Sequence, residues 1–295
     1  MIKPLVRILT LILFPFLVHA QISNLKIITF NIRYDNPDDG PYRWELRKPL
    51  VLDVIQQEIP EILGFQEALH DQVIGLQRAL PGYEWVGKGR DDGKELGEFN
   101  PIFFSSDRFK LKNKGTFWLS ETPNTAGSKS WNSACNRIVT WVKLYDRQSR
   151  KKVFVFNTHF DHFSKEARVE SAHLLVSAIK QIAKDNWVIV TGDFNDIEGS
   201  QMYKILTGSA LDLSLMNTSR ISRKETMGPS YTFIGFPFKP DEGNTIDFIF
   251  TKNNKSATVT EHRVSTYNNQ GRYPSDHLPV IVNFELKIKT KRYAF

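Results

Sequence analysis

Short runs rich in β-branched and aromatic residues recur along this chain, outnumbering its helical stretches, and some follow each other through hairpin-length turns. They read LKIITFNI (25–32), EWVGKG (84–89), PIFFSS (101–106), RIVTWVKLYD (137–146), KVFVFNTHF (152–160), NWVIVTGDF (186–194), TIDFIFT (245–251) and LPVIVNFEL (278–286). Each has the length and residue types of a buried strand. Apolar residues at helical spacing appear in WELRKPLVLDVIQQE (44–58) and ARVESAHLLVSAIKQIAKD (167–185), so both are expected as helices packed on a sheet. YDRQSRKK (145–152) joins two strands by a hairpin-length turn. A purely parallel doubly wound sheet would place a helix between most strands, so mixed or antiparallel sheets with helices outside fit this pattern better. No repeat, low-complexity tract or Pro/Gly/Ser-rich linker divides the chain, which predicts one α/β domain over roughly residues 22–290.

The strands share a second property: polar residues gather where they end. TFNIR (29–33), LGFQEAL (63–69), FNTHFDH (156–162), VTGDFND (190–196), TIDFIF (245–250) and YPSDH (273–277) each carry such a group. Loops at one edge of a sheet are where a rigid scaffold presents reactive side chains. The pooled candidates are Asn31, Glu67, His159, Asp161, Asp193, Asn195, Asp247, Asp276 and His277. Oxygen donors dominate, with a few imidazoles and no thiolate. Such a set suits a hard divalent cation, Mg²⁺ first, with Mn²⁺ and Ca²⁺ as alternatives. Zinc would call for a His- or Cys-rich set such as HExxH, which is absent. A hard cation beside histidines fits chemistry on phosphate esters, the metal offsetting phosphate charge while an Asp–His pair handles protons.

Taken singly, these residues have plainer readings. NTH can cap a turn, Asn31 can hold one, and Glu67 can be the first-turn acid of a helix. The acid in GDFND is costly to bury without a cation or donors. Asp247 is read as interrupting TIDFIF in mid-strand, where aspartate needs a partner. Capping does not account for all six groups together.

The first twenty residues differ in kind. Lys3 and Arg7 precede the apolar run 8–18, which ends at Val18-His19-Ala20. This predicts a cleavable secretory signal over 1–20, cut at Ala20/Gln21, and a secreted or periplasmic product. A membrane anchor is the weaker reading, because the run falls short of the ~20 residues a span needs and Pro15 interrupts it. No second hydrophobic run follows, so no transmembrane segment is expected in the mature chain, which is read as a monomer.

Cys135 is the single cysteine, so an exported form relies on its core rather than on internal disulfides. A nucleophilic role for it is disfavoured by the lack of a histidine dyad in WNSACNR (131–137). The formal charge of +7, less the two positive charges of Lys3 and Arg7, leaves +5. Much of that excess lies in RQSRKK (147–152) and KIKTKRY (287–293), read as a hairpin tip and a tail, a solvated basic edge rather than a nucleic-acid track.

From TFNIRYDN (29–36) to SDHLPV (275–280) the motifs, in order, resemble the endonuclease/exonuclease/phosphatase superfamily. The resemblance implies a DNase-like α/β fold, a four-layer sandwich of two mixed β-sheets packed face to face with helices outside, as the catalytic domain over 21–295. It implies a phosphoric ester hydrolase in which Asn31, Glu67 and Asp276 are metal-site residues, Glu67 central. Asp193 and Asn195 look like the pair that positions the attacking water and the phosphate. His159 looks like the histidine that meets the phosphoryl oxygens or the leaving group. His277 resembles the catalytic imidazole, oriented by Asp247. Arg137 sits where related members place a phosphate-binding arginine, whose fork suits two phosphate oxygens. GTFWLSETP (115–123), NTHFDH (157–162) and EARVESAHLL (166–175) are similar to an exported bacterial and fungal subgroup. Glu98 aligns with a family loop near the metal, against the alternative of a plain turn acid.

These features predict a secreted, metal-dependent phosphodiesterase or phosphatase acting on a small phosphoester such as a sugar phosphate or lipid head group. A secreted nuclease acting on DNA or RNA is the alternative. The mouth-side loops GKGRDDGKELGE (87–98) and PNTAGSKSWNSACNR (123–137) mix charges and lack a basic stripe, which favours the small substrate. Trp118 and Trp131 are candidates to stack a sugar or a base, against a buried structural role for Trp118. A non-catalytic binding protein on the same fold is the third reading, disfavoured by the acids retained at the strand ends.

Overall fold

The computed structural model describes residues 22–208, 213–238, 244–252 and 254–288. The expected secretory signal and most of the basic tail lie outside them. Two mixed six-stranded sheets form the centre of the molecule. The first contains β1 (Ile22–Asn31), β2 (Ile62–Gln66), β3 (Tyr83–Val86), β4 (Ile102–Ser105), β11 (Ala257–Val264) and β12 (Val280–Lys287). The second contains β5 (Phe109–Trp118), β6 (Ile138–Asp146), β7 (Lys151–His159), β8 (Trp187–Asp193), β9 (Leu215–Asn217) and β10 (Asp247–Lys252). Spatial orders are β11-β12-β1-β2-β4-β3 and β5-β6-β7-β8-β10-β9. Each sheet has one parallel pair, β1 with β2 and β7 with β8, and is otherwise antiparallel.

Three apolar clusters separate four layers. Leu25, Ile27, Ile62 and Val282 from one sheet meet Val142, Val155, Ile189 and Ile249 from the other in the interior between them. On the outer face of the first sheet, α1 (Trp44–Glu58) and α2 (His70–Ala79) cover Ile28, Phe30, Leu63 and Phe65. On the outer face of the second, α3 (Lys165–Ala183) and α4 (Gln201–Thr207) cover Phe154, Phe156, Val188 and Val190. Successive strand residues point to opposite faces, so a strand buried on both reads as an unbroken apolar run. A short helix, α5 (Thr218–Ile221), follows β9. No helix among the described residues is long and apolar enough to cross a membrane.

Beneath the strand ends the sheets are joined by polar side chains. Asn157 donates to the carbonyls of Phe65 and Pro101 at 2.7 and 3.0 Å, while its Oδ1 accepts from Gln66 Nε2 at 2.6 Å and Thr191 Oγ1 at 3.0 Å. Gly64 makes that approach feasible, because a Cβ there would meet Thr191 Oγ1 at 2.3 Å. The asparagine of NTH is thus an inter-sheet link, fully buried and fully bonded.

Candidate active site

All six polar strand ends arrive at one edge of the sandwich. His159 pairs in register with Asp193 across β7 and β8, and Asp193 with Asp247 across β8 and β10. Asn31 ends β1 beside Gln66 of β2, so Glu67 is the next residue out. Asp247 is the first residue of its strand, not a mid-strand interruption. It sits at the mouth for the same reason as the others.

Two of these residues, Glu67 and Asn195, have left-handed backbones, with φ of 62° and 48°. Glutamate gains nothing locally from that region, and such conformations are held only where surrounding bonds over-determine them. Here the Tyr34 N–H donates to Glu67 Oε2 at 3.3 Å, and the Asn195 N–H donates to Asp193 Oδ1 at 3.0 Å.

Asn31 lies at the junction. Its Nδ2 donates to Glu67 Oε1 and Asp193 Oδ2, both at 3.0 Å, and its Oδ1 accepts from the Arg33 N–H at 3.0 Å. The two histidines are set differently. His277 Nδ1 lies 2.8 Å from Asp247 Oδ2, and its Nε2 lies 3.7 Å from Asp193 Oδ2. Burial alone would lower its pKa, but the Asp247 and Asp193 carboxylates raise it well above the ordinary value. These carboxylates favour the protonated ring of His277. His159 is fully buried in the opposite sense. Burial and the charges of Arg137 and Arg90 hold its pKa well below the ordinary value. Asn195 Nδ2, which also donates to the Phe160 carbonyl, lies 2.9 Å from His159 Nε2, a nitrogen that is also 3.4 Å from Asp193 Oδ2.

The acids are equally distinct. Burial, then the neighbouring Asp247 charge, pushes Asp193 up to about 7. Asp276 is also raised, first by burial and then by Glu67. Ser275 keeps the capping role, its hydroxyl donating to the Asn31 carbonyl at 2.7 Å and lying 3.1 Å from Asp276 Oδ1. Asp161 leaves the pool of reactive groups. Its carboxylate accepts the backbone N–H groups of Ala134, Cys135, Phe163 and Ser164 and is used up in holding the loops.

The strand edge opens into a cavity of about 620 Å³. Arg137 is buried in its wall, 3.7 Å from Asp161 and 3.0 Å from His162 Nδ1. Glu98 lines the cavity and binds Arg90 Nη1 at 2.6 Å, which makes it the partner of an arginine rather than a plain turn acid. Trp118 is buried, with its indole N–H donating to the Arg90 carbonyl at 2.6 Å, so its role is structural. Three arginines were not among the sequence candidates. Arg33 and Arg90 line the cavity. Arg47 of α1 is 2% exposed and donates to the carbonyls of Ile32, Arg33, Tyr34, Tyr42 and Pro274. It ties the segment after Asn31 to the one before Ser275.

A divalent cation fits the donor set. Ligand atoms of Glu67, His159 and Asp193 lie within 4.8 Å of one another, as do those of Asp193, Asp247 and His277. Asp276 and Glu67 flank Arg33 at 3.9 and 4.0 Å. Asp193 and Asp276, both buried and both raised in part by a neighbouring carboxylate, mark a site short of positive charge.

A buried acid–imidazole cluster at one edge of a double-sheet sandwich, with arginines around it, defines a phosphoester hydrolase. The chain belongs to the endonuclease/exonuclease/phosphatase family, whose sequence model matches residues 28–277. Enzymes of this family are generally dependent on a divalent metal. An endonuclease/exonuclease/phosphatase from Bacteroides vulgatus superposes with a TM-score of 0.84 at 35% identity, covering 90% of this chain and 100% of that one. A mannosyl-6-phosphatase of Bacteroides thetaiotaomicron superposes with a TM-score of 0.80 at 33% identity, covering 88% and 99%. An uncharacterised protein of Acanthamoeba polyphaga mimivirus is 25% identical over 272 residues, 88% of this chain and 100% of its own length. The four-layer sandwich expected from the motifs is the fold of these structures.

Proposed function

We propose that the chain is a divalent-metal-dependent phosphomonoesterase acting on a phosphorylated sugar. One observation carries the choice over a nuclease: the arginines of the cavity are paired with acids, Arg90 with Glu98 and Arg33 with Asp39, instead of running as a basic track. A cavity of about 620 Å³ is in the size range of small-molecule sites, with room for a sugar ring beyond the phosphate. The mannosyl-6-phosphatase among its relatives supports a hexose 6-phosphate.

In this reading Asp193 takes the proton of the attacking water, and its raised pKa suits a base working near neutrality. Asn195 and Asn31 fix that carboxylate and the water beside it. His277, kept cationic by Asp247, donates from Nε2 to the phosphoryl or leaving oxygen. His159 stays neutral and holds Asn195, while Arg137 receives the phosphate. Glu67 and Asp276, with Asn31 beside them, would hold the cation, Mg²⁺ before Mn²⁺ or Ca²⁺. When bound it supplies positive charge against the phosphate oxygens.

The segment 1–20 is proposed as a secretory leader ahead of the catalytic domain, and the mass of the N-terminus of exported protein tests the cut at Ala20/Gln21. The activity itself is tested with purified protein and Mg²⁺ against hexose 6-phosphates, bis-nitrophenyl phosphate, RNA and plasmid DNA. Preferred cleavage of nucleic acid would overturn the sugar-phosphate reading.

A further inference from the structure

We propose that Arg33 is a further catalytic residue, whose Nη1 holds a non-bridging phosphate oxygen from the Glu67 side of the cavity, with Asp39 positioning it. This rests on the phosphoester reading above. Arg33 lines the cavity, whereas Asp39, which takes its side-chain hydrogen bonds, is not among the lining residues. Nε and Nη2 donate to the two carboxylate oxygens of Asp39 at 3.2 and 3.1 Å. The remaining nitrogen, Nη1, lies 4.0 Å from Glu67 Oε2, too far for a hydrogen bond, and makes none among the described residues.

The segment following Arg33 is built around that guanidinium. Asn36 Nδ2 donates to Asp39 Oδ1 at 3.0 Å and fixes the carboxylate within the 3-10 turn Pro37–Tyr42. The Tyr34 ring lies under the guanidinium, 4.5 Å from its carbon. The Arg33 backbone is left-handed, with φ of 55°, and three groups hold it there. Its N–H donates to Asn31 Oδ1, and its carbonyl accepts from Arg47 and Gln72.

The placement is uneconomical for a site that only binds a cation. A fixed monocation 3.9 Å from Asp276 and 4.0 Å from Glu67 opposes a metal on those carboxylates. It becomes useful once an anion arrives, because Nη1 can then meet a phosphate on the Glu67 side of the cavity that Arg137 also lines. Planar guanidinium donors held in this way suit phosphate oxygens better than a mobile lysine does.

The test compares wild type, Arg33→Gln, Arg33→Lys and Asp39→Asn as full-length proteins by calorimetry with Mg²⁺ alone, then with inorganic phosphate at saturating Mg²⁺. Arg33→Gln should raise the phosphate Kd about tenfold or more and leave the Mg²⁺ Kd unchanged or lower. Arg33→Lys should fall between, and Asp39→Asn should weaken phosphate about threefold without touching the cavity. Phosphate affinity within twofold of wild type in Arg33→Gln, or Mg²⁺ affinity lost in step with phosphate affinity, overturns the assignment. If Arg33→Gln does not fold, Arg33→Lys and Asp39→Asn give the same reading. Failure of wild type to hydrolyse any phosphoester would remove the proposed function, whereas the phosphate titration judges Arg33 separately.

Discussion

His277 Nδ1 and Asp247 Oδ2 lie 2.8 Å apart at the end of a sheet, both buried, and this contact fixes which nitrogen of the imidazole is left for the cavity. With Nδ1–H committed to the carboxylate, Nε2 is directed toward Asp193 and the cavity. Against the lowering effect of burial, the same carboxylate raises the imidazole pKa and favours the charged ring.

Asp247→Asn should therefore lower kcat by about 10²–10⁴-fold. The mutant amide can present its N–H to Nδ1 and impose the wrong tautomer. An NMR titration of the His277 ring should show its pKa falling in this variant. A charged ring at neutral pH together with wild-type kcat would refute the pairing.

The two histidines should separate kinetically. His277→Gln removes a cationic donor and should cost about 10³-fold or more in kcat. His159→Gln replaces a neutral acceptor with an amide oxygen that still receives Asn195 Nδ2, and should cost about 10–100-fold. Equal losses, or a larger loss at His159, would reverse their roles.

Much of this arrangement was legible in the sequence. Interior strands such as β7 and β8 must be apolar on both faces, so they read clearly, and the polar residues at their ends stood out. The edge strands β5 and β11 did not. β5 carries Lys110, Lys112 and Lys114 along a largely exposed stretch, a common way to protect a sheet edge from further pairing but one that erases the apolar signal. The TI before Asp247 makes it look like a mid-strand residue, and nothing local shows that pairing starts only at the aspartate. Arg47 could not be read, since its meaning lies in a distant partner, and the pairings of Arg33 with Asp39 and of Arg90 with Glu98 follow no helical or strand spacing. Arg47 and the Pro274 carbonyl it binds are 227 residues apart. The charge states of His159 and His277 likewise depend on neighbours that only the fold assembles.

Asn157→Ala should destabilise the protein by about 2–3 kcal/mol, because it strips two buried carbonyls and the Gln66 and Thr191 donors of a partner. Differential scanning calorimetry should show a Tm lower by about 5–10 °C. An unchanged Tm would mean that the inter-sheet link contributes nothing.

His262 gives a pH signature away from the active site. Burial depresses its pKa from 6.5 to about 4, and its Nδ1 lies 2.9 Å from the Thr218 hydroxyl. Above pH 6.5 the ring is neutral in both folded and unfolded chains, and its contribution is fully present. As pH falls from 6.5 toward 4 the unfolded chain takes up a proton that the folded one refuses, so stability drops, by about 3 kcal/mol over the whole window. Denaturant melts of wild type and His262→Gln across this range should converge as pH falls. Parallel curves would show that the ring is not buried neutral.

The central claim, a metal-dependent phosphomonoesterase using Asp193, is tested most directly by initial rates of phosphate release from a hexose 6-phosphate. Wild type and Asp193→Asn are to be compared in Mg²⁺, in excess chelator, and after Mg²⁺ is restored. The account predicts release by wild type in Mg²⁺, a fall of about 10³-fold or more in chelator that added Mg²⁺ reverses, and a similar deficit for folded Asp193→Asn. Release that is indifferent to chelator, or undiminished in Asp193→Asn, would contradict it.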